Sequence, residues 1–229
     1  MDVVVGMIYL YEERAGREEF AIKGELYKYL IKVRRHQEGD LLGLRNKDDR
    51  KILHTYKITA IEARALHVSK LSSQILERKP NRVLHVAWCV IDSKSVEKVL
   101  AMLNEIGVSK ISFIYCERSQ RNFTPDLKRY ERILQASNQQ CGRTHMMEFD
   151  TYNSIADFIT KFPDTRVLDF TDKVLQEGAG FQRVLVGCEG GFSLAEKESL
   201  QKQEVFRLDT PMVLRSETAV VAIASKILL

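Results

Sequence analysis

Arg183-Val184-Leu185-Val186-Gly187-Cys188-Glu189-Gly190-Gly191-Phe192-Ser193-Leu194-Ala195-Glu196 is the stretch around which the rest of the chain is organised. A short β-branched and leucine run gives way to glycines, and Ser193 then stands three residues before Glu196 in the spacing of a helix-capping box. The stretch therefore predicts strand, loop and helix start. Gly187, Gly190 and Gly191 allow positive φ, or close approach of backbone to a ligand. Loops leaving the C-terminal ends of α/β strands are where such folds bind ligands. The loop has neither the Gly-Lys-Ser/Thr ending of a phosphate loop nor G-x-G-x-x-G spacing, so it points to a different ligand or to a plain tight turn.

Working outward, strand and helix patterns alternate on both sides of this loop. Val83 to Ile91 is a continuous apolar strand, Ser95 to Ile106 has helical spacing, Gly107 is a stop and Ile111 to Tyr115 is a strand. Then follow helix 127–140, strand 146–149, helix 155–162, strands 166–170 and 183–186, helix 194–203, strand 205–208 and helix 216–229. About 150 residues of such alternation predict a largely parallel sheet covered on both faces. Residues 1–73 differ: β-branched and aromatic runs at 4–11, 57–61 and 65–71, polar turns and one helical piece at 24–33 predict a small barrel. The expected fold is α/β, with residues 1–73 as the barrel and 74–229 as the α/β domain.

Composition sets limits. The 229 residues are 45% apolar and 29% charged, as in ordinary globular chains. No run approaches the roughly 18 apolar residues of a membrane span, and the first residues lack a basic leader and small-residue cleavage site, so a cytoplasmic protein without membrane attachment is expected. Cys89, Cys116, Cys141 and Cys188 include no C-x-x-C pair and the five histidines are scattered, so no metal is expected. Charge is asymmetric: residues 1–145 carry a net +8 and residues 146–229 a net −4. Basic surface favours a polyanion such as nucleic acid. The densest basic cluster of the barrel segment is Lys32, Arg34 and Arg35. Two further polar stretches, 116–122 with Arg118 and Arg121 and 139–145 with Arg143, are either solvated loops or RNA contacts through guanidinium groups.

The ordered motifs Asn104-Glu105-Ile106-Gly107-Val108, Glu117-Arg118-Ser119, Gln140-Cys141-Gly142-Arg143, Gly187-Cys188-Glu189-Gly190-Gly191-Phe192-Ser193 and Leu214-Arg215-Ser216-Glu217-Thr218-Ala219 resemble the RsmE family of 16S ribosomal RNA uridine-N3 methyltransferases. The likeness covers essentially the whole chain. It implies an N-terminal PUA-like β-barrel, here an RNA-binding domain, followed by a SPOUT methyltransferase domain whose C-terminal segment forms a trefoil knot. It further implies a homodimer that binds S-adenosyl-L-methionine in the knot and acts on 16S rRNA, most efficiently in the assembled small subunit.

By motif position, the resemblance places the cofactor against Leu168, Phe170, Gly187, Glu189, Gly190, Gly191, Leu208, Val213 and Leu214. Arg215, Glu217 and Arg143 are the catalytic candidates among the motif residues, and the basic residues Lys32, Arg34, Arg35, Arg118, Arg121 and Arg143 are the RNA-binding candidates. Three positions depart from the family pattern: Cys188 stands for proline, Thr210 for glycine and Met212 for arginine. These departures keep open a non-catalytic RNA-binding factor of the same fold, and a ribose 2′-O-methyltransferase of the same superfamily is the other alternative. Uridine N3 carries a proton, so the reaction needs that proton removed and the charge growing on O2 and O4 stabilised. Arg215 or Arg143 suits the second task and Glu217 the first. The first turn of the last helix is the other place where a glutamate at 217 is favoured.

Overall fold

The structure, a computed structural model, describes residues 8–119, 122–176 and 178–229. Two compact units divide the chain: residues 1–79 with 138–145, and residues 80–137 with 146–229.

The first unit is built on a curled five-stranded sheet. Its strands are β1 (Leu10–Tyr11), β2 (Glu19–Lys23), β3 (Leu41–Arg45), β4 (Ile52–Ile61) and β5 (Ala65–Ile75), in the order β1-β3-β4-β5-β2. All pairings are antiparallel except β1 with β3. Ile22, Leu42, Leu44, Tyr56, Ile58, Leu66 and Val68 alternate inward and form its core with Leu30. Each such buried aliphatic side chain contributes about 1.5–3 kcal/mol. Of the strand expected over 4–11, residues 4–7 lie outside the described residues. The expected helix over 24–33 is a short α1 (Gly24–Lys28) continued by a π-helical turn, Tyr29–Val33. β5 runs four residues beyond the expected 71, because Ser72, Ser73, Gln74 and Ile75 still pair with β4.

The second unit carries a six-stranded parallel sheet made of β6 (His85–Cys89), β7 (Lys110–Ile114), β8 (Glu148–Tyr152), β9 (Arg166–Leu168), β10 (Arg183–Val186) and β11 (Val205–Phe206), in the order β11-β9-β10-β6-β7-β8. Every residue of β6 is buried, which requires cover on both faces. The helices are α2 (Ser93–Ile106), α3 (Leu127–Cys141), α4 (Ile155–Lys161), α5 (Leu194–Ser199) and α6 (Ser216–Leu228); the last residues of α3 belong to the first unit. α2 starts where the Asp92 carboxylate accepts from Ser95 N at 3.0 Å, and it ends at Gly107, whose φ of 110° is the left-handed conformation a glycine stop supplies. α6 packs on α2 and β10, burying Val220, Ile223, Ala224 and Ile227. Three adjacent strands share a polar chain: Ser112 on β7 donates to Asp150 on β8, so His85 Nε2 on β6 must donate to Ser112 Oγ, 2.6 Å away.

The chain runs from β6 out to β8 on one side and returns to β9 and β10 on the other. Such a reversal opens a crevice at the carboxyl ends of the strands.

Candidate active site

The ends of β9, β10 and β11 and the loops after them surround a cavity of about 350 Å³. All nine residues carried over as cofactor contacts line it: Leu168 and Phe170 after β9, Gly187, Glu189, Gly190 and Gly191 after β10, and Leu208, Val213 and Leu214 after β11. Local sequence explains the convergence, since each loop begins where a short parallel strand stops. Of the three loop glycines only Gly191 takes positive φ, at 65°, and its N donates to Cys188 O at 2.9 Å to close the turn. A Cβ on Gly190 would stand 3.2 Å from Arg118 Cβ and Cδ, and one on Gly187 would stand 3.4 Å from the Phe192 ring. Gly190 therefore makes room for a side chain of the neighbouring loop.

That neighbouring loop, residues 116–119 after β7, is tied to the glycine loop. Arg118 Nη1 donates to Gly190 O at 2.5 Å, and Arg118 also lines the cavity. The buried Glu196 carboxylate accepts from Ser193 N and from Glu117 N, each at 2.8 Å. With the Ser193 hydroxyl accepting from Glu196 N, this completes the capping box and extends it to a second loop. Ser216, the first residue of α6, donates to Gly187 O at 2.6 Å and accepts from buried Trp88 Nε1 at 2.8 Å. The start of α6 and the middle of β6 thus hold the glycine loop from beneath.

Sequence reasoning missed Lys197, Arg207 and Ser216, all in the cavity wall, and Asp169, inside the expected cofactor loop 168–170, lines it too. Lys197 Nζ lies 2.8 Å from Asp169 Oδ2. Only the aspartate next to Leu168 was available as a local signal. The departures at 210 and 212 also line the cavity; Thr210 Oγ1 accepts from Met212 N at 3.1 Å, so the threonine supplies a turn contact glycine cannot.

The catalytic candidates are distributed differently. Arg215 is exposed at the cap of α6, directly after cavity residue Leu214. Glu217 is 4% exposed, outside the cavity wall, and its Oε2 has no hydrogen-bond partner among the described residues. Arg143 belongs to the first unit and is 7% exposed; burial holds its guanidinium below the ordinary arginine value, and its carbonyl accepts from the Tyr9 hydroxyl at 2.7 Å. Lys32, Arg34 and Arg35 are all exposed at the end of the π-helical turn of the first unit. Arg121 lies outside the described residues. Among the described residues no group of three His, Cys, Asp or Glu is gathered to hold a metal, and no helix is long and apolar enough to cross a membrane.

The chain is similar to known methyltransferases in sequence and in fold. The RNA methyltransferase domain family matches residues 77–228. Ribosomal RNA small subunit methyltransferase E of Helicobacter pylori (strain ATCC 700392 / 26695) is 35% identical, with 96% of this chain and 98% of that protein covered. The protein of the same name from Aquifex aeolicus is 28% identical over 95% and 97% of the two chains. The fold matches that of ribosomal RNA small subunit methyltransferase E from Neisseria gonorrhoeae, solved bound to S-adenosyl methionine, with a TM-score of 0.70 at 17% identity over 96% of each chain. The chain belongs to the ribosomal RNA small subunit methyltransferase E family.

Proposed function

We propose that this chain is an S-adenosylmethionine-dependent methyltransferase that modifies N3 of a uridine in 16S rRNA, working in the cytoplasm as a homodimer on the assembled small subunit. The observation that carries the reading is that the nine residues assigned to the cofactor from sequence motifs all line one cavity. Its size, about 350 Å³, suits a ligand of nucleoside dimensions. The wall also suits the cofactor chemically: Leu208 and Leu214 offer apolar faces to a flat adenine, the glycine loop offers backbone amides and carbonyls, and Asp169 with Lys197 offers charge for polar ends.

When bound, S-adenosylmethionine supplies an electrophilic methyl group on a sulfonium, which needs no protein nucleophile. The chain aligns donor and acceptor and keeps water out. Arg215, exposed beside the cavity, stabilises the negative charge that grows on uridine O2 and O4 as the N3 proton leaves. Glu217, two residues on, is the carboxylate assigned to that proton, and Arg143 is the second arginine carried over for the reacting base. Arg118, in the cavity wall, and Arg121 are assigned to the RNA, while Lys32, Arg34 and Arg35 of the N-terminal unit hold its phosphates.

Calorimetry with S-adenosylmethionine tests the cofactor assignment, and saturable binding is expected. Small subunits lacking the modification, incubated with enzyme and cofactor, digested to nucleosides and weighed, should yield 3-methyluridine. A methyl on ribose oxygen would place the chain with 2′-O enzymes, and RNA binding without cofactor binding would make it a non-catalytic factor. Sedimentation at micromolar concentration should give the mass of two chains; half-buried Val221, Ala222 and Leu228 on α6 are the apolar surface offered for that contact.

A further inference from the structure

Three of the four cysteines converge behind the glycine loop. Cys89 ends β6, Cys116 lies two residues past β7 and Cys188 two residues past β10, and these are three neighbouring strands. The sulfurs of Cys116 and Cys188 are 3.7 Å apart, and both cysteines are free thiols. Cys188 forms part of the cavity wall, whereas Cys116 sits outside that wall, 3.0 Å from Ser119 Oγ. Hydrogen bonds from Cys188, Cys89 and Ser119 hold the Cys116 thiol well below the usual thiol value; the same contact, together with burial, raises Cys188. Two free thiols this close on neighbouring loops are placed as an attacking sulfur and its resolving partner. Position 188 is where the family pattern has proline, so the pair is no part of the shared cofactor motif.

We propose that Cys116 and Cys188 form a peroxide-driven disulfide that pins the glycine loop to the 116–119 loop and distorts the cavity wall that receives the cofactor. The Cys116 thiolate attacks one oxygen of hydrogen peroxide; an S–O bond forms, the O–O bond breaks, and the departing hydroxide takes up the proton the thiol released, leaving as water. The Cys188 sulfur then attacks the resulting sulfenic acid. An S–S bond forms, the S–OH bond breaks, and a second water leaves with the Cys188 proton. Two thiols lose two electrons and two protons, and one peroxide becomes two waters. Bonding requires the sulfurs to approach from 3.7 Å to about 2.05 Å, which draws Cys188 toward Cys116 and out of its place in the cavity wall. A ligand filling the cavity holds Cys188 in the wall and slows its attack on the sulfenic acid. The effect on cofactor affinity rests on the function proposed above, while formation of the cross-link does not.

The experiment treats the reduced full-length protein with hydrogen peroxide, with and without S-adenosylmethionine, then alkylates it and maps peptides without reduction. The expected result is a peptide joining Cys116 to Cys188, lighter by two hydrogens, formed more slowly when the cofactor is present. Cys89→Ser should still form it and Cys116→Ser should not. Calorimetry after oxidation should show at least a tenfold loss of cofactor affinity, restored by dithiothreitol. Thiols that remain alkylatable, pairing through Cys89 or Cys141, or a sulfinic acid without a cross-link would overturn the proposal. A cross-link that leaves affinity unchanged would overturn the distortion of the site. A cross-linked protein whose reduced form never binds S-adenosylmethionine would support the disulfide and overturn the cofactor reading instead.

Discussion

At the scale of single residues, the glycine loop shows how one residue type serves different ends. Gly191 is needed for its backbone, since φ of 65° costs a residue with a Cβ about 1–2 kcal/mol. Gly190 is needed for the space it leaves Arg118. Gly190→Val should therefore expel the Arg118 side chain, break its hydrogen bond to Gly190 O and weaken S-adenosylmethionine binding by about tenfold, or 1.4 kcal/mol. Calorimetry on the folded variant checks this, and unchanged affinity would remove Gly190 from the cofactor site. Glu217→Gln separates proton acceptor from helix-end carboxylate: an acceptor's loss should lower kcat about a hundredfold or more with cofactor affinity intact. Wild-type kcat would leave Glu217 only its place in the first turn of α6.

At the scale of elements, the start of α5 is also a clamp, because Glu196 holds both its own helix end and the loop after β7. Glu196→Ala should lower stability by about 1–2 kcal/mol, as loss of a helix cap does, and should weaken cofactor binding along with it. Urea unfolding and calorimetry read the two effects, and a stability loss with full affinity would separate the clamp from the site. The His85–Ser112–Asp150 chain predicts a pH response. Burial first, and then Lys110, pushes His85 down from 6.5 to about 4. Between those values the unfolded chain binds a proton that the folded chain refuses, so stability should fall as pH drops from about 6.5 toward 4, by up to about 3 kcal/mol. Denaturation midpoints measured across that range should show the slope, and His85→Gln should flatten it.

At the scale of the whole molecule, the exposed Lys32, Arg34 and Arg35 belong to the first unit, whereas the cavity-lining residues belong to the second. Replacing all three by alanine should leave cofactor binding unchanged and lower the slope of log affinity for RNA against log salt by about two. Filter binding at several salt concentrations measures it, and a wild-type slope would remove the cluster from the RNA interface. The sequence by itself determined the alternation of strands and helices, the stop at Gly107 and the glycine loop, because periodicity, capping and glycine turns act within a few residues, whereas the cavity loops after β9 and β11 came only from the family resemblance. It did not disclose β2 and β3: Glu19-Phe20-Ala21-Ile22-Lys23 has one β-branched residue and charged ends, Leu41-Leu42-Gly43-Leu44-Arg45 has none and is interrupted by glycine, and pairing with β5 and β4 defines them. Nor did it disclose that residues 138–145 join the first unit, or that Trp88 meets Ser216, Arg118 meets Gly190 and Cys116 meets Cys188. Those contacts follow from the strand order β11-β9-β10-β6-β7-β8, and strand order is decided by burying the sheet's faces as a whole, which no local stretch of chain encodes.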